Sequence, residues 1–548
     1  MTQTSMLEVE LERLIERRLT GSTLEDRRAV AASDHAAEPP AAYGNFNGFL
    51  PGESNEMDRD KAINTTRLWS FLNKTQKDVL DQWRGRGDLK AAIEKEIDRK
   101  LNTKGILDTL RQKLEVDNIE LTLYYPKPSP SDSQQSHRDF EANEWSVTRQ
   151  QKYSKYHPGN EIDMVIFING LPLFTIELKN PATHQTARYD GQKQYREDRD
   201  PRDILLKFAR CLAHFTLDKD EVFFTTRLEG KNTYFMPFNQ GLPNGQGAGN
   251  PINPNGHKTA YFWEKILTPD TLADIIQNFA LVDYGEAKKH KKVPHLLKNA
   301  KGLIFPRFHQ LDVVNSLSED VTTNGVGGKY LIQHSAGSGK SNSITWLAFD
   351  LIKACPQTMD ANRAEALDKQ LFQSVIIVTD RRVLDSQIFY NVWAFAKSDK
   401  IIAHADSSEQ LRKAIEAGKR IIITTIQKFP YICGTIADMS SRNFAVIIDE
   451  AHSSQSGIAA DKLNATTYRD PDEDTEDTDS IIEKLIAERK MSPNTSYFAF
   501  TATPKPNTLE RFGIPNADGG YDPFHLYSMK QAIEEGFILD VLSNYTTY

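Results

Sequence analysis

The stretch Tyr330 to Ser341, YLIQHSAGSGKS, limits what this chain can fold into more than any other. Its apolar start, Tyr330-Leu331-Ile332, predicts a short strand, and a helix is expected from about Ser341 to Lys353. A strand, a glycine-rich turn and a helix in that order make a cradle for phosphate. Gly337 and Gly339, on either side of Ser338, permit the tight curl that turns backbone N–H groups inward. Lys340 brings a positive charge to the β/γ-phosphates of a nucleotide, and Ser341 places a hydroxyl where Mg²⁺ would sit. The start of the helix adds its own attraction for anions. His334 stands where the longer GxxxxGK[ST] pattern has its first glycine, which leaves the shorter AGSGKS form. Read alone, that form competes with a chance glycine-rich turn.

Later stretches favour the nucleotide loop. The chain after about residue 297 alternates apolar runs with helical stretches, and strands are expected at Val375–Val378, Ile421–Thr424, Ala445–Ile448 and Tyr497–Phe500. This rhythm predicts a parallel sheet with helices on both faces. Polar stations follow the carboxyl ends of those strands, where open α/β sheets bind ligands. Asp449-Glu450-Ala451-His452 follows one of them: Asp449 suits Mg²⁺, Glu450 the attacking water, and His452 coupling to the next motif. Thr501 and Thr503 of TATP carry hydroxyls for that coupling. Arg307 and Gln310 of FPRFHQ suit the edge of an adenine. Arg381 and Lys428, after two other strands, suit a nucleic-acid backbone, the alternative for each being a solvated polar loop.

A second centre is expected upstream, in EIDMVIFINGLPLFTIELKNP, residues 161–181. Two apolar runs, Met164–Ile168 and Leu173–Leu178, flank Asn169-Gly170, the dipeptide that most strongly marks a β-hairpin. Glu177 and Lys179, two apart, share one face of the second strand. Pairing of the hairpin would bring Asp163 to the same end. Two carboxylates and an ammonium so placed suit metal-assisted phosphodiester hydrolysis, with Asp163 and Glu177 as hard ligands for Mg²⁺ and Lys179 beside the reacting phosphate. The competing reading is an ion pair at a strand end. The polar stretch 184–203 is expected to be helical, with Gln185, Tyr189, Gln194, Tyr195 and Arg199 offered to DNA phosphates, or merely solvated.

Elsewhere helices are expected at 6–19, Thr65–Leu72, Thr75–Trp83, Leu89–Arg99, Ile106–Gln112, Leu205–Phe215 and Tyr261–Tyr284. Strands are expected at Ile119–Leu123, Trp145–Thr148, Glu221–Arg227 and Thr233–Met236. The run Lys288–Lys292 reads as a basic linker, and 470–479 as an acidic insertion. The expected division is a mainly helical region 1–115, a catalytic core 116–285, a linker 286–296 and an ATPase lobe 297–548. Across 548 residues the net charge is -8, so any nucleic-acid surface must be local. Three scattered cysteines offer neither a disulfide framework nor a zinc site. With no long apolar run and no signal-like N-terminus, a cytoplasmic protein is expected.

Taken together, SAGSGKS, TDRR, TTIQKF, IIDEAHSSQSG and FTATP resemble the first lobe of superfamily 2 helicase-type motors. Joined to the upstream hairpin, the set resembles the restriction (R) subunit of type I restriction–modification enzymes. Asp163, Glu177 and Lys179 match that family's PD-(D/E)xK nuclease motif, with Ile162-Asp163 in place of Pro-Asp. Lys340, Ser341, Asp449 and Glu450 match its ATPase motifs, whereas its QxxxY element maps less cleanly onto Gln185/Tyr189 or Gln194/Tyr195. The resemblance implies an α+β nuclease domain followed by a RecA-like lobe, ATP and Mg²⁺ as cofactors, double-stranded DNA as substrate, and modification (M) and specificity (S) subunits as partners. The chain ends at Tyr548, before the second motor lobe of that family, so weak ATP binding, slow hydrolysis and no translocation are expected of it alone. Two other readings stand beside this one: a DNA-dependent ATPase with a structural N-terminal domain, and a non-catalytic DNA- or subunit-binding remnant.

Overall fold

Asn169 and Gly170 both take positive φ, +50° and +81°, as a two-residue hairpin turn demands. A Cβ at Gly170 would lie 2.3 Å from the Asn64 carbonyl oxygen, so the position admits only glycine. In this computed structural model the residues described are 3–32, 46–130, 132–180, 184–285, 296–356, 370–379, 388–389, 391–393, 395, 401–405, 407–426, 439, 441–449 and 493–539. Two compact units are present. The first comprises residues 1–128, 132–240 and 249–307; the second comprises 129–131, 241–248 and 308–548. Residues 297–307 therefore sit with the first unit.

The first unit is built on a seven-stranded mixed sheet: β1 (Leu50–Gly52), β2 (Trp145–Lys152), β3 (Glu161–Ile168), β4 (Leu171–Leu178), β5 (Ala213–Leu217), β6 (Val222–Thr225) and β7 (Met236–Pro237), neighbours in that order. The hairpin β3–β4 is antiparallel and β4–β5 parallel. All eight residues of β4 are buried. Phe174, Phe215, Phe224, Phe238, Phe262 and Phe305 pack edge-on and tilted beside it, with centroids 4.9–6.3 Å apart. Helix α1 (Gln3–Thr20) is tied to β2 by Arg149, whose guanidinium meets Glu12 and Glu16 at 2.9 Å while all three side chains are buried. Helices α2 (Thr65–Leu80) and α3 (Leu89–Arg111) each merge two expected helices across an irregular residue, Gln76 and Gly105.

The expected helix Leu205–Phe215 is corrected. The structure has a single 3₁₀ turn at Ile204–Leu206, a positive φ of +58° at Ala209, and then strand β5. A strand buried on both faces is a continuous apolar run, and periodicity cannot distinguish that from a buried helix. Residues 184–203 form two short turns of i→i+5 type, Ala187–Gly191 and Gln194–Asp198. The segment Tyr261–Tyr284 likewise breaks into short helical turns and ends in a strand, Leu281–Asp283. One of these turns starts after Thr268, whose side chain accepts a hydrogen bond from Thr271 N.

The second unit has a seven-stranded parallel sheet: β8 (Lys329–His334), β9 (Ser374–Thr379), β10 (Ile402–His404), β11 (Ile421–Thr425), β12 (Phe444–Ile448), β13 (Thr495–Thr501) and β14 (His525–Tyr527). Their spatial order is β10-β11-β9-β12-β13-β8-β14, and every pairing is parallel. Branched aliphatic residues fill β9, β11 and β12, all buried, as a sheet covered on both faces requires. Helix α4 (Phe308–Asn324) precedes β8, and α5 (Lys340–Leu351) follows it. The fold is thus the α/β arrangement that the strand–helix rhythm predicts, with β10 and β14 as added edge strands.

Candidate nuclease and nucleotide sites

Register determines the first site. Met164 of β3 pairs with Ile176 of β4, so the next row brings Asp163 beside Glu177. Asp163 Oδ2 accepts a hydrogen bond from Leu178 N at 2.7 Å, which holds the aspartate across the hairpin. Glu177 is completely buried. Its Oε1 receives Arg199 Nε at 2.8 Å and Nη2 at 2.7 Å. Its Oε2 is buried with no hydrogen-bond partner. Burial pushes the Glu177 carboxyl well above the usual range, the Asp163 charge adds to that, and Arg199 and Lys179 pull against it. Lys179, nearly buried, donates from Nζ to the Leu178 carbonyl at 2.9 Å.

An orphaned, desolvated carboxylate oxygen beside a second carboxylate suits a hard divalent cation, which binds oxygen ligands and offsets their charge. Asp163 and Glu177 could therefore hold Mg²⁺.

The helical face expected to meet DNA is only partly exposed. Tyr189 is 72% exposed and Gln185 and Gln194 are half-buried. Tyr195 is corrected as a DNA contact, because it is fully buried with its hydroxyl 2.8 Å from Thr175 Oγ1. That threonine also meets His214 Nδ1 at 2.7 Å, so a polar network lies under the carboxylates. Arg199 turns inward to Glu177 instead of facing DNA. The sequence contains the residue, but no spacing rule links positions 22 apart that meet only when the 187–198 turns pack on the sheet.

The second site lies at the carboxyl edge of the parallel sheet. Gly337 and Gly339 have φ of +72° and +79°, the left-handed backbone that the loop needs. Lys340 Nζ donates to the His334 carbonyl at 3.4 Å. Gln310 donates its amide to the carbonyls of Ser338 and Gly339, at 3.2 Å each, and so supports the loop from behind. Arg307 is buried in the first unit. Ser341, half-buried, lies in the first turn of α5, while buried Asp449 follows β12. Strands β12 and β8 both flank β13, so Asp449 and the loop stand about two strand spacings, ~10 Å, apart at one edge. Thr501 ends β13 between them and accepts from Thr503 N at 3.3 Å. Arg381, Lys428, Glu450 and His452 lie outside the described residues, as do the 288–292 run and the 470–479 insertion.

Family models agree with this division of chemistry. Residues 53–233 match the type I restriction enzyme R protein N terminus, and residues 309–547 match the SWI2/SNF2 ATPase. The type I restriction enzyme HindI endonuclease subunit of Haemophilus influenzae is 25% identical, covering 69% of this chain and 32% of that protein. The SauCOLORF180P endonuclease subunit of Staphylococcus aureus is 24% identical, covering 74% and 36%. The chain spans about a third of the length of these relatives. A solved nuclease-deletion mutant of the type ISP restriction–modification enzyme LlaGI in complex with a DNA substrate mimic aligns at 14% identity. It covers 42% of this chain and 19% of that one with a TM-score of 0.24, too slight a likeness to carry any argument. The chain thus carries a region matching the type I restriction enzyme R protein N terminus followed by one matching the SWI2/SNF2 ATPase, and the relatives it resembles are endonuclease subunits of type I restriction enzymes.

Proposed function

We propose that this chain is the cutting and motor subunit of a type I restriction–modification complex. Its first unit cleaves double-stranded DNA, and its second is the first lobe of the ATP- and Mg²⁺-dependent motor that moves along the duplex. Modification and specificity subunits choose the site. The observation that carries the reading is the Glu177 carboxylate, whose Oε2 is buried, unpartnered and beside Asp163.

Asp163 and Glu177 are the ligands for Mg²⁺, and Arg199 fixes the rotamer of Glu177 from the opposite oxygen. When bound, the metal supplies an acidified water and polarises the scissile phosphate. Lys179 places its ammonium on the same face as Glu177, where it opposes the negative charge that grows on the phosphate. Tyr189, exposed on the adjoining turn, contacts the DNA together with Gln185 and Gln194. In the second unit Lys340 and Ser341 hold the nucleotide phosphates and their metal, with Asp449 on the same edge. Glu450 orients the attacking water.

The test is DNA cleavage by the chain assembled with its modification and specificity partners. Lys179→Ala is expected to abolish cutting while ATP hydrolysis continues. Cutting at an unchanged rate would refute the assignment and leave a motor with a structural N-terminal domain.

A further inference from the structure

His334, which stands at the first position of the nucleotide loop, is held through its ring. Its Nε2 lies 2.8 Å from His525 Nδ1, and His525 Nε2 lies 3.1 Å from Asp312 Oδ2. One tautomer assignment satisfies every link: His525 Nε2–H donates to Asp312, and His334 Nε2–H donates to His525 Nδ1.

This hydrogen-bonded chain joins α4 and the edge strand β14 to β8, and backbone pairing holds β14 on one side only. Strand β14 is the edge strand beside β8 and meets it over three residue pairs, Ile332 with His525, Gln333 with Leu526 and His334 with Tyr527. Asp312 lies on α4. From that helix, three residues earlier, His309 stacks on Tyr527 at 3.8 Å between centroids, with its Nε2 3.0 Å from the Ser338 carbonyl. Helix α4 and strand β14 thus grip the loop at its first residue and again at its middle. Lys340 reports on the first grip, because its Nζ donates to the His334 carbonyl.

We propose that the Asp312–His525–His334 chain is a positioning device for nucleotide binding. It fixes the start of the loop, and with it the N–H groups and Lys340 that meet the phosphates. His525 and Asp312 touch no nucleotide and act through His334. The proposal rests on the nucleotide reading of the loop and adds residues that the Walker-type pattern does not contain.

The experiment measures affinity of the 548-residue chain for a fluorescent ATP analogue with Mg²⁺, alongside thermal unfolding. His525→Gln keeps both links, since a glutamine oxygen accepts from His334 and its amide donates to Asp312. His525→Phe keeps the ring volume and breaks both links. Asp312→Ala removes the far end at a half-exposed position where folding is not at stake. Expected is a loss of affinity of about tenfold in His525→Phe, a smaller loss in Asp312→Ala, and near wild-type binding in His525→Gln. Equal affinity in all three variants would overturn the proposal, as would equal losses in His525→Gln and His525→Phe, which would mark the site as simple packing. A wild-type chain that fails to bind the analogue, or binds it as well with Lys340→Ala, would overturn the nucleotide reading itself.

Discussion

Arg199 gives both Nε and Nη2 to one oxygen of Glu177 and leaves the other oxygen of that buried carboxylate unpartnered. Arg199 thereby opposes the burial and the Asp163 charge that push the Glu177 carboxyl up, and it fixes the orientation of that carboxyl. Arg199→Leu would leave a buried carboxylate without its cation, at a cost of about 3–5 kcal/mol. Adding Glu177→Gln removes the stranded charge, so the double variant should be more stable than the sum of the single losses allows. Urea midpoints of the four proteins in the cycle measure this; strict additivity would show that the two groups are not coupled.

Much of this arrangement can be read in the sequence, for identifiable reasons. Asn169-Gly170 sets a two-residue turn that pairs Ile168 with Leu171, but that register alone would set Asp163 opposite Ile176; a one-residue register shift between Ile166 and Phe167, which no sequence pattern announces, brings Asp163 beside Glu177. The parallel sheet follows equally from branched runs such as Val375–Val378 and their spacing. Arg199 was legible as a polar residue but not as the clamp on Glu177, because its partner is fixed by packing. Strand β5 reads as helix in the sequence because a strand buried on both sides has no period of two. His525 lies 191 residues from His334 and belongs to a three-residue edge strand, which leaves no local pattern to detect.

Arg149 meets Glu12, Glu16 and Glu25, each at 2.9 Å, and carries α1 onto the sheet. Arg149→Met would take a cation from the buried carboxylates of Glu12 and Glu16, the latter keeping Arg27 at 2.8 Å. A loss of about 3–5 kcal/mol is expected. Hydrogen exchange should show α1 opening before β3 and β4. Unchanged protection of α1 would show that its apolar face, with Leu11, Ile15 and Leu19 buried, suffices to dock it.

His214 is fully buried against Thr175, and burial pushes its pKa down to about 3. An unfolded histidine titrates near ~6.5. Since the folded value is depressed, stability is retained above ~6.5 and is lost as pH falls toward 3, by up to about 1.4 kcal/mol per pH unit. His214→Asn is expected to flatten that acid limb in a plot of unfolding midpoint against pH. A limb of the same slope in the variant would assign the acid sensitivity to other groups.

Gly170→Ala tests the hairpin itself. A positive φ and a carbonyl oxygen 2.3 Å from the new methyl should together cost more than about 1 kcal/mol. The loss should come with weaker divalent-cation binding, because the turn and the register shift beyond it together set the carboxylate row. A destabilised variant with unaltered cation affinity would separate the two.

The most direct measurement is calorimetric titration of the purified chain with Mn²⁺, as a stand-in for Mg²⁺, in wild type, Asp163→Asn and Glu177→Gln. The carboxylate pair predicts one strong site in the first unit, lost in either variant and kept in Lys340→Ala. Retention of that site in both carboxylate variants would contradict the proposed assignment of Asp163 and Glu177 as the metal-holding pair.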